Sequence, residues 1–137
     1  MVDRLHSLPV YQLSQLGKRG RRRLMDQLAG RGRTLREMAV LAALTERGPS
    51  SQRDLCDLLG QDPSDLVRTI DALEQAGLAR RERDPADRRR HLVTLTEGGV
   101  RELEACEQTA EAVTAEVLAP LSAEERATLT ALLRRCL

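Results

Sequence analysis

Apolar residues recur along this chain at helical spacing in six stretches that glycine, proline and capping residues separate. Leu13, Leu16, Leu24 and Leu28 predict a first helix from about Leu8 to Ala29, with Gly17 and Gly20 as weak points where it is expected to kink. Gly30 and Gly32 punctuate its end. Thr34 and Glu37 then make a capping-box pattern ahead of Leu35, Met38, Leu41 and Leu44, so a second helix is expected over 34–47. Gly48-Pro49 stops it, and Ser50 or Ser51 caps a short third helix carrying Leu55, Leu58 and Leu59. Gly60-Gln61 leaves a tight turn before Asp62, an N-cap residue, and Pro63, whose missing N–H suits a first helical turn. In the fourth helix Leu66, Val67, Ile70 and Leu73 form the expected buried stripe, which points Ser64, Asp65, Arg68 and Ala72 outward. Two short helices joined by a glycine-containing turn, the second with a small and polar outer face, meet the requirement of a helix-turn-helix.

Beyond Gly77 the pattern changes. Leu78–Arg83 and His91–Thr96 flank Asp84-Pro85-Ala86-Asp87, which predicts a β-hairpin whose tip is dense in arginine. Thr96 caps a long fifth helix with Val100, Leu103, Cys106, Ala110, Val113 and Val117 along one side. Pro120 breaks the chain, and Ser122 with Glu125 opens a last helix carrying Leu129, Leu132, Leu133 and Cys136.

Composition narrows the class. The length of 137 residues suits one domain, and 41% hydrophobic with 31% charged residues is ordinary for a folded chain. With no Phe or Trp and a single tyrosine, Tyr11, the core must come from Leu, Val, Ala, Ile and Met. No apolar run reaches the roughly 18 residues of a membrane span, and Met1–Val10 lacks a secretory signal, so a cytoplasmic protein without membrane attachment is expected. Cys56, Cys106 and Cys136 are odd in number and lack metal-ligand spacing; reduced thiols are expected, with no metal and no cofactor. His6 and His91 are the only histidines and no phosphate-binding glycine loop is present, so no catalytic residues and no enzyme activity are expected.

The formal net charge of +1 conceals segregation. Residues 1–36 carry +7 and the hairpin segment 78–91 carries +3, whereas 37–77 carries −5 and 97–137 carries −4. The acidity of 37–77 opposes polyanion binding by those helices alone, so arginines of the hairpin and of the first helix must supply the attraction.

The order helix, helix-turn-helix, arginine-tipped hairpin and two closing helices resembles the MarR (multiple antibiotic resistance) family of winged-helix regulators over nearly the whole chain. The most specific stretch is Leu73-Glu74-Gln75-Ala76-Gly77-Leu78-Ala79-Arg80-Arg81, followed by Asp84-Pro85-Ala86-Asp87-Arg88-Arg89 and by Leu95-Thr96-Glu97-Gly98. The resemblance implies a mainly α fold with a small β-hairpin wing (α+β), a single domain over 1–137. Within it, 34–96 would be the winged helix-turn-helix, and 1–30 with 97–137 the dimerisation helices. It also implies a sequence-specific regulator, expected to be a repressor, that binds double-stranded DNA at a pseudo-palindromic operator as a homodimer. Helix 62–76 would enter the major groove. Asp87 and Arg89 match the family's Asp-x-Arg at the wing, which poises an arginine for the minor groove; Arg88 and Arg90 are the other candidates here.

The residues themselves agree. Guanidinium groups on a thin hairpin suit a narrow groove of concentrated negative potential. On the fourth helix, Ser64 and Arg68 are candidates for base edges, Asp65 for a cytosine amine, and Pro63 and Thr69 complete the contact set. Ser51, Gln52 and Arg53, where the third helix begins, are candidate phosphate contacts. Asp65 acting only on its helix N-terminus, and Arg68 acting only on phosphate, stand beside those roles. Many family members release DNA on binding a small apolar or phenolic effector, and His6, Tyr11 and Met38 are candidates for such a cleft, with ordinary packing as the alternative for each. The rival functions are a winged-helix module for protein or RNA, and a thiol-based redox regulator in which Cys136 is exposed while Cys56 and Cys106 are buried.

Overall fold

A computed structural model describes residues 3–137. The elements run α1 (Asp3–His6), α2 (Pro9–Gly30), α3 (Leu35–Arg47), α4 (Gln52–Leu59), α5 (Pro63–Gln75), β1 (Ala79–Arg83), β2 (His91–Leu95), α6 (Glu97–Val117) and α7 (Ala123–Arg134). The helix expected over 8–29 forms as α2 and passes through Gly17 and Gly20 as α-helix; α1 was not expected. The chain forms two compact units, one of residues 1–24 and 109–137, the other of residues 25–108.

The 25–108 unit holds the main core. Val40, Leu41, Ala43 and Leu44 of α3 meet Leu55 of α4 and Leu66, Ile70 and Leu73 of α5, closed by Ala79 of β1, Val93 of β2 and Leu103 of α6. Fully burying a Leu or Ile side chain contributes about 1.5–3 kcal/mol, so this aliphatic cluster sets the helix rotations in the absence of aromatic residues. Capping fixes the helix starts. Thr34, Ser51 and Asp62 each accept a backbone N–H from the first turn of the helix they precede. At Thr34 the expected reciprocal bond gives way to another: the Glu37 carboxylate pairs with Arg33, and both side chains are largely buried. At Ser122 the capping box is complete, and the Ser122 N–H and hydroxyl hold the Glu125 carboxyl below its ordinary range.

β1 and β2 pair antiparallel, with Ala79 opposite Leu95 and Arg83 opposite His91. Ser50, between α3 and α4, exchanges backbone hydrogen bonds with Val93 at 3.1 and 2.7 Å, which ties the hairpin to the helix-turn-helix. Gly77 ends α5 in the left-handed region at φ 71°, where Leu78 N–H closes onto the Leu73 carbonyl at 2.9 Å. Thr96 secures the next junction: its hydroxyl donates to the Gly77 carbonyl at 2.7 Å and accepts from Gly99 N–H at 3.0 Å.

The other unit has little interior. Among its described residues only Val113 is buried. Leu13, Leu16, Leu24, Val117, Leu129 and Leu133 line an open apolar groove of about 390 Å³.

The β1–α6 junction yields the first prediction. A Cβ on Gly99 would lie 2.1 Å from the Leu78 carbonyl oxygen, whereas one on Gly98 would sit 3.4 Å from its nearest neighbour. Gly99→Ala should lower the urea-unfolding free energy by about 1–3 kcal/mol and Gly98→Ala by clearly less; equal effects would show that the close approach relaxes freely.

Candidate nucleic-acid interface

The rotation of α5 decides which side chains it offers. Asp62 caps it, and the Ser64 hydroxyl and N–H hold the Asp62 carboxyl below the ordinary carboxylate range. Leu66, Ile70 and Leu73 face the core. At about 100° per residue Thr69 falls roughly 60° from Leu66, inside that stripe, while Val67 falls about 100° away on the other side. Two expectations are therefore corrected. Val67 is not buried but 37% exposed, and Thr69 is only 8% exposed, its hydroxyl donating to the Asp65 carbonyl at 2.9 Å. Ser64, Val67, Arg68, Asp71 and Gln75 form the exposed face, with Pro63 exposed at its leading end.

The hairpin tip is built by two aspartates. Asp84 accepts from Ala86 N–H at 2.9 Å and Asp87 from Arg89 N–H at 3.0 Å, side chains serving the backbone as in Asx turns. The arginines then separate by role. Arg81, whose side chain is 23% exposed, faces inward and binds Gln52 Oε1 at 2.8 Å, Asp71 at 2.8 Å and the Glu74 carboxylate. Arg80 pairs with Glu82 at 2.8 Å, and Arg90 reaches Asp54 of α4 at 3.1 Å. Arg89, with its side chain 94% exposed, keeps only a loose 3.6 Å pairing with Asp87. Arg88 is exposed and makes no ion pair among the described residues.

Four carboxylates of the helix-turn-helix are thereby paired, mostly by arginines from outside it. Asp65 lies between Arg68 at 2.8 Å and Arg36 at 3.2 Å, Asp71 and Glu74 share Arg81, and Asp54 has Arg90. Arg68 on α5 and Arg89 on the wing keep side chains 75% and 94% exposed, and Arg83 and Arg88 are exposed beside them. At the start of α4, Arg53 is exposed as expected, and Gln52 is half-buried under Arg81. Ser51 is corrected: it is buried, and its hydroxyl caps α4 by accepting from Asp54 N–H at 3.1 Å. Gln52, Arg81, Arg89, Arg90 and His91 line a basic cleft of about 460 Å³ between α4 and the wing.

The model of the MarR family matches residues 31–90, the segment that carries this surface. The transcriptional regulator HosA of Escherichia coli is 31% identical over 131 residues, which is 96% of each chain. The chain belongs to the MarR family. Among solved structures, apo MarR from E. coli is 28% identical with a TM-score of 0.84, covering 95% of this chain and 96% of that one. A cysteine-to-serine mutant of MarR complexed with operator DNA is 29% identical with a TM-score of 0.74, covering 96% of both chains. BpsR of Bordetella bronchiseptica, whose DNA binding is regulated by 6-hydroxynicotinic acid, is 28% identical with a TM-score of 0.74, covering 94% of this chain and 92% of that one. This MarR-family chain is accordingly a transcriptional regulator with the winged-helix fold.

The candidate effector residues separate between the two units. His6 and Tyr11 pack edge to face, centroids 5.3 Å apart, and His6 borders an open groove with Gln12, Lys18, Arg19 and Arg22. Met38 packs against the core of the 25–108 unit. Of the thiols, Cys136 is exposed and Cys106 buried as expected, but Cys56 is only half-buried. Burial, then the neighbouring Glu102 carboxylate, pushes the Cys106 thiol up, which keeps it protonated and unreactive. Among the described residues no helix is long and apolar enough to cross a membrane, and no cluster of three or more His, Cys, Asp or Glu could hold a metal ion.

Arg81 is the anchor of the wing, and the sequence does not single it out. It lies in a run of wing arginines that local spacing does not distinguish, and its partner Gln52 is 29 positions away. Arg81→Ala should cost about 1–3 kcal/mol and speed amide exchange in β1, while Arg81→Lys, which lacks the planar fork, should recover only part. A wing whose exchange rates are unchanged in Arg81→Ala would remove this anchoring role.

Proposed function

We propose that this protein is a repressor that binds a pseudo-palindromic operator as a homodimer and leaves it when a small aromatic effector binds. The observation that carries the reading is the sorting of charge on one surface. The carboxylates Asp65, Asp71, Glu74 and Asp54 are held by Arg36, Arg68, Arg81 and Arg90, and Arg68 and Arg89 stay outermost on the helix and the wing. In this reading α5 enters the major groove, where Ser64 and Arg68 meet base edges, and the wing places Arg89 in the flanking minor groove, with Arg88 and Arg90 on the adjacent backbone. Arg53 and Gln52 meet phosphate.

Dimerisation is supported by the apolar groove on the 1–24 and 109–137 unit, where Leu13, Leu132 and Leu133 are exposed. An exposed apolar surface of this kind marks an interface. Two-fold symmetry then requires half-sites about 34–36 Å apart, one helical turn of DNA. An operator-bound dimer blocks whatever else must occupy that DNA, which is repression by exclusion. The effector in this reading is a hydroxylated aromatic acid, like the regulator of BpsR, that meets His6 and Tyr11.

The test is a salt series of binding titrations on an operator selected from random DNA, against scrambled duplex and duplex RNA. Wild-type protein should prefer the operator by about 10³-fold or more. Arg89→Ala should bind it about tenfold or more weakly with a shallower salt dependence and an unchanged sedimentation mass; Leu133→Glu should sediment as monomer. Equal affinity for operator, scrambled duplex and RNA would reject the specific-regulator reading. Tyr11 is the only tyrosine and the chain has no tryptophan, so its emission reports effector binding directly. A titration with 6-hydroxynicotinic acid should change that emission and release DNA. DNA release without a change at Tyr11 would move the effector site elsewhere.

A further inference from the structure

The contact between α3 and α5 carries more than packing. Asp65 sits in the first turn of α5, and each of its carboxylate oxygens takes a different guanidinium: Oδ1 pairs with Arg68 Nη2 at 2.8 Å and Oδ2 with Arg36 Nη1 at 3.2 Å. The side chain of Asp65 is 28% exposed, against 75% for Arg68 and 60% for Arg36. The carboxylate is thus the inner member of the trio, and Arg68 leans on it while extending into solvent.

We propose that Arg36, from α3, sets the base specificity of Arg68 by holding the far oxygen of Asp65. The inference rests on the operator-reading function above and names a specificity residue for it. A guanidinium has five N–H donors in a fixed plane, and reading guanine requires two of them, side by side, for O6 and N7. A carboxylate with both oxygens free takes an arginine through two parallel N–H bonds, which commits one of its two-donor edges and fixes the plane and direction of the guanidinium. With Oδ2 committed to Arg36, Asp65 holds Arg68 through one nitrogen, enough to restrict its rotamers and leave a two-donor edge for the base. The second guanidinium also offsets the Asp65 charge, which would otherwise repel phosphate at the mouth of the groove. Thr69 assists from beneath: its hydroxyl bonds the Asp65 carbonyl at 2.9 Å, within the turn that bears the carboxylate. Arg36 is a positioning residue in this scheme; it acts through Asp65 and touches no base.

The experiment compares full-length wild type, Arg68→Ala, Arg36→Ala, Arg36→Lys, Asp65→Ala and the Arg36→Ala/Asp65→Ala pair. Each is used to select sites from a random duplex pool and is then titrated against single-base variants of the wild-type operator. Arg68→Ala should erase a guanine preference of about 10- to 100-fold at one base pair per half-site. Arg36→Ala should weaken the preference at that same base pair about tenfold, with a smaller effect on scrambled DNA; Arg36→Lys, which retains a donor for Oδ2, should restore most of it. In the Asp65→Ala background Arg36→Ala should change the preference no further, because the two act in series. A uniform loss of affinity on all sequences in Arg36→Ala would make Arg36 a phosphate contact and overturn the proposal, and so would additive effects in the double variant. Should Arg36→Ala fail to fold, Arg36→Gln replaces it in the same comparison. A wild-type protein that enriches no sequence removes the operator reading itself; a clear wild-type consensus with an unchanged Arg36→Ala profile removes this inference alone.

Discussion

Burial of Leu66, Ile70 and Leu73 against α3 and α4 is the constraint on which the interface depends. Each side chain contributes about 1.5–3 kcal/mol when buried, so turning α5 by even one residue would expose part of that set and bring Val67 or Asp65 toward the core. The rotation that keeps the three leucine and isoleucine side chains dry is the rotation that presents Ser64 and Arg68. Stability and the choice of contact face are therefore one choice. Thr69 belongs to the inner stripe by the same geometry and is tolerated there because its hydroxyl has the Asp65 carbonyl to bond.

Electrostatics then finishes a surface that the core only orients. The helix-turn-helix is acidic in sequence, yet, while Asp57 and Asp62 are exposed without an ion pair among the described residues, Asp54, Asp65, Asp71 and Glu74 are each paired with an arginine. Arg36, Arg81 and Arg90 come from α3, the first wing strand and the hairpin tip to meet them. These pairs are mostly half-exposed, and such pairs add little to folding stability. Their effect is on placement: Arg81 holds the wing strand to α4 and α5, Arg90 holds the tip to α4, and Arg89 is left projecting.

The 1–24 and 109–137 unit follows a different logic. Its helices are well formed, and the Ser122 box closes on both of its hydrogen bonds, but only Val113 is buried among its described residues. Helices of this length gain most of their stability from packing an apolar face. Those of this unit expose a groove lined by leucine and valine. The same leucines that complete no core here are the apolar surface on which the proposed two-fold interface rests.

Much of this was legible along the chain. Caps at Thr34, Ser51, Asp62 and Ser122, the stop at Gly77, the strand limits and the exposure of Arg68 and Arg89 follow from contacts within a few residues, where spacing and residue type suffice. Local sequence could not tell Arg81, which anchors, from Arg89, which projects, because Arg81 finds its partners on α4 and α5, 29, 10 and 7 positions away, and Arg89 has its own two positions away. Nor could it show that Asp65 would be shared by Arg36, that Glu37 would prefer Arg33 to its capping role, or that Ser51 would be buried. Sequence fixes periodicity and capping since both are short-range; which arginine meets which carboxylate depends on how helices and hairpin pack, and only the tertiary structure decides it.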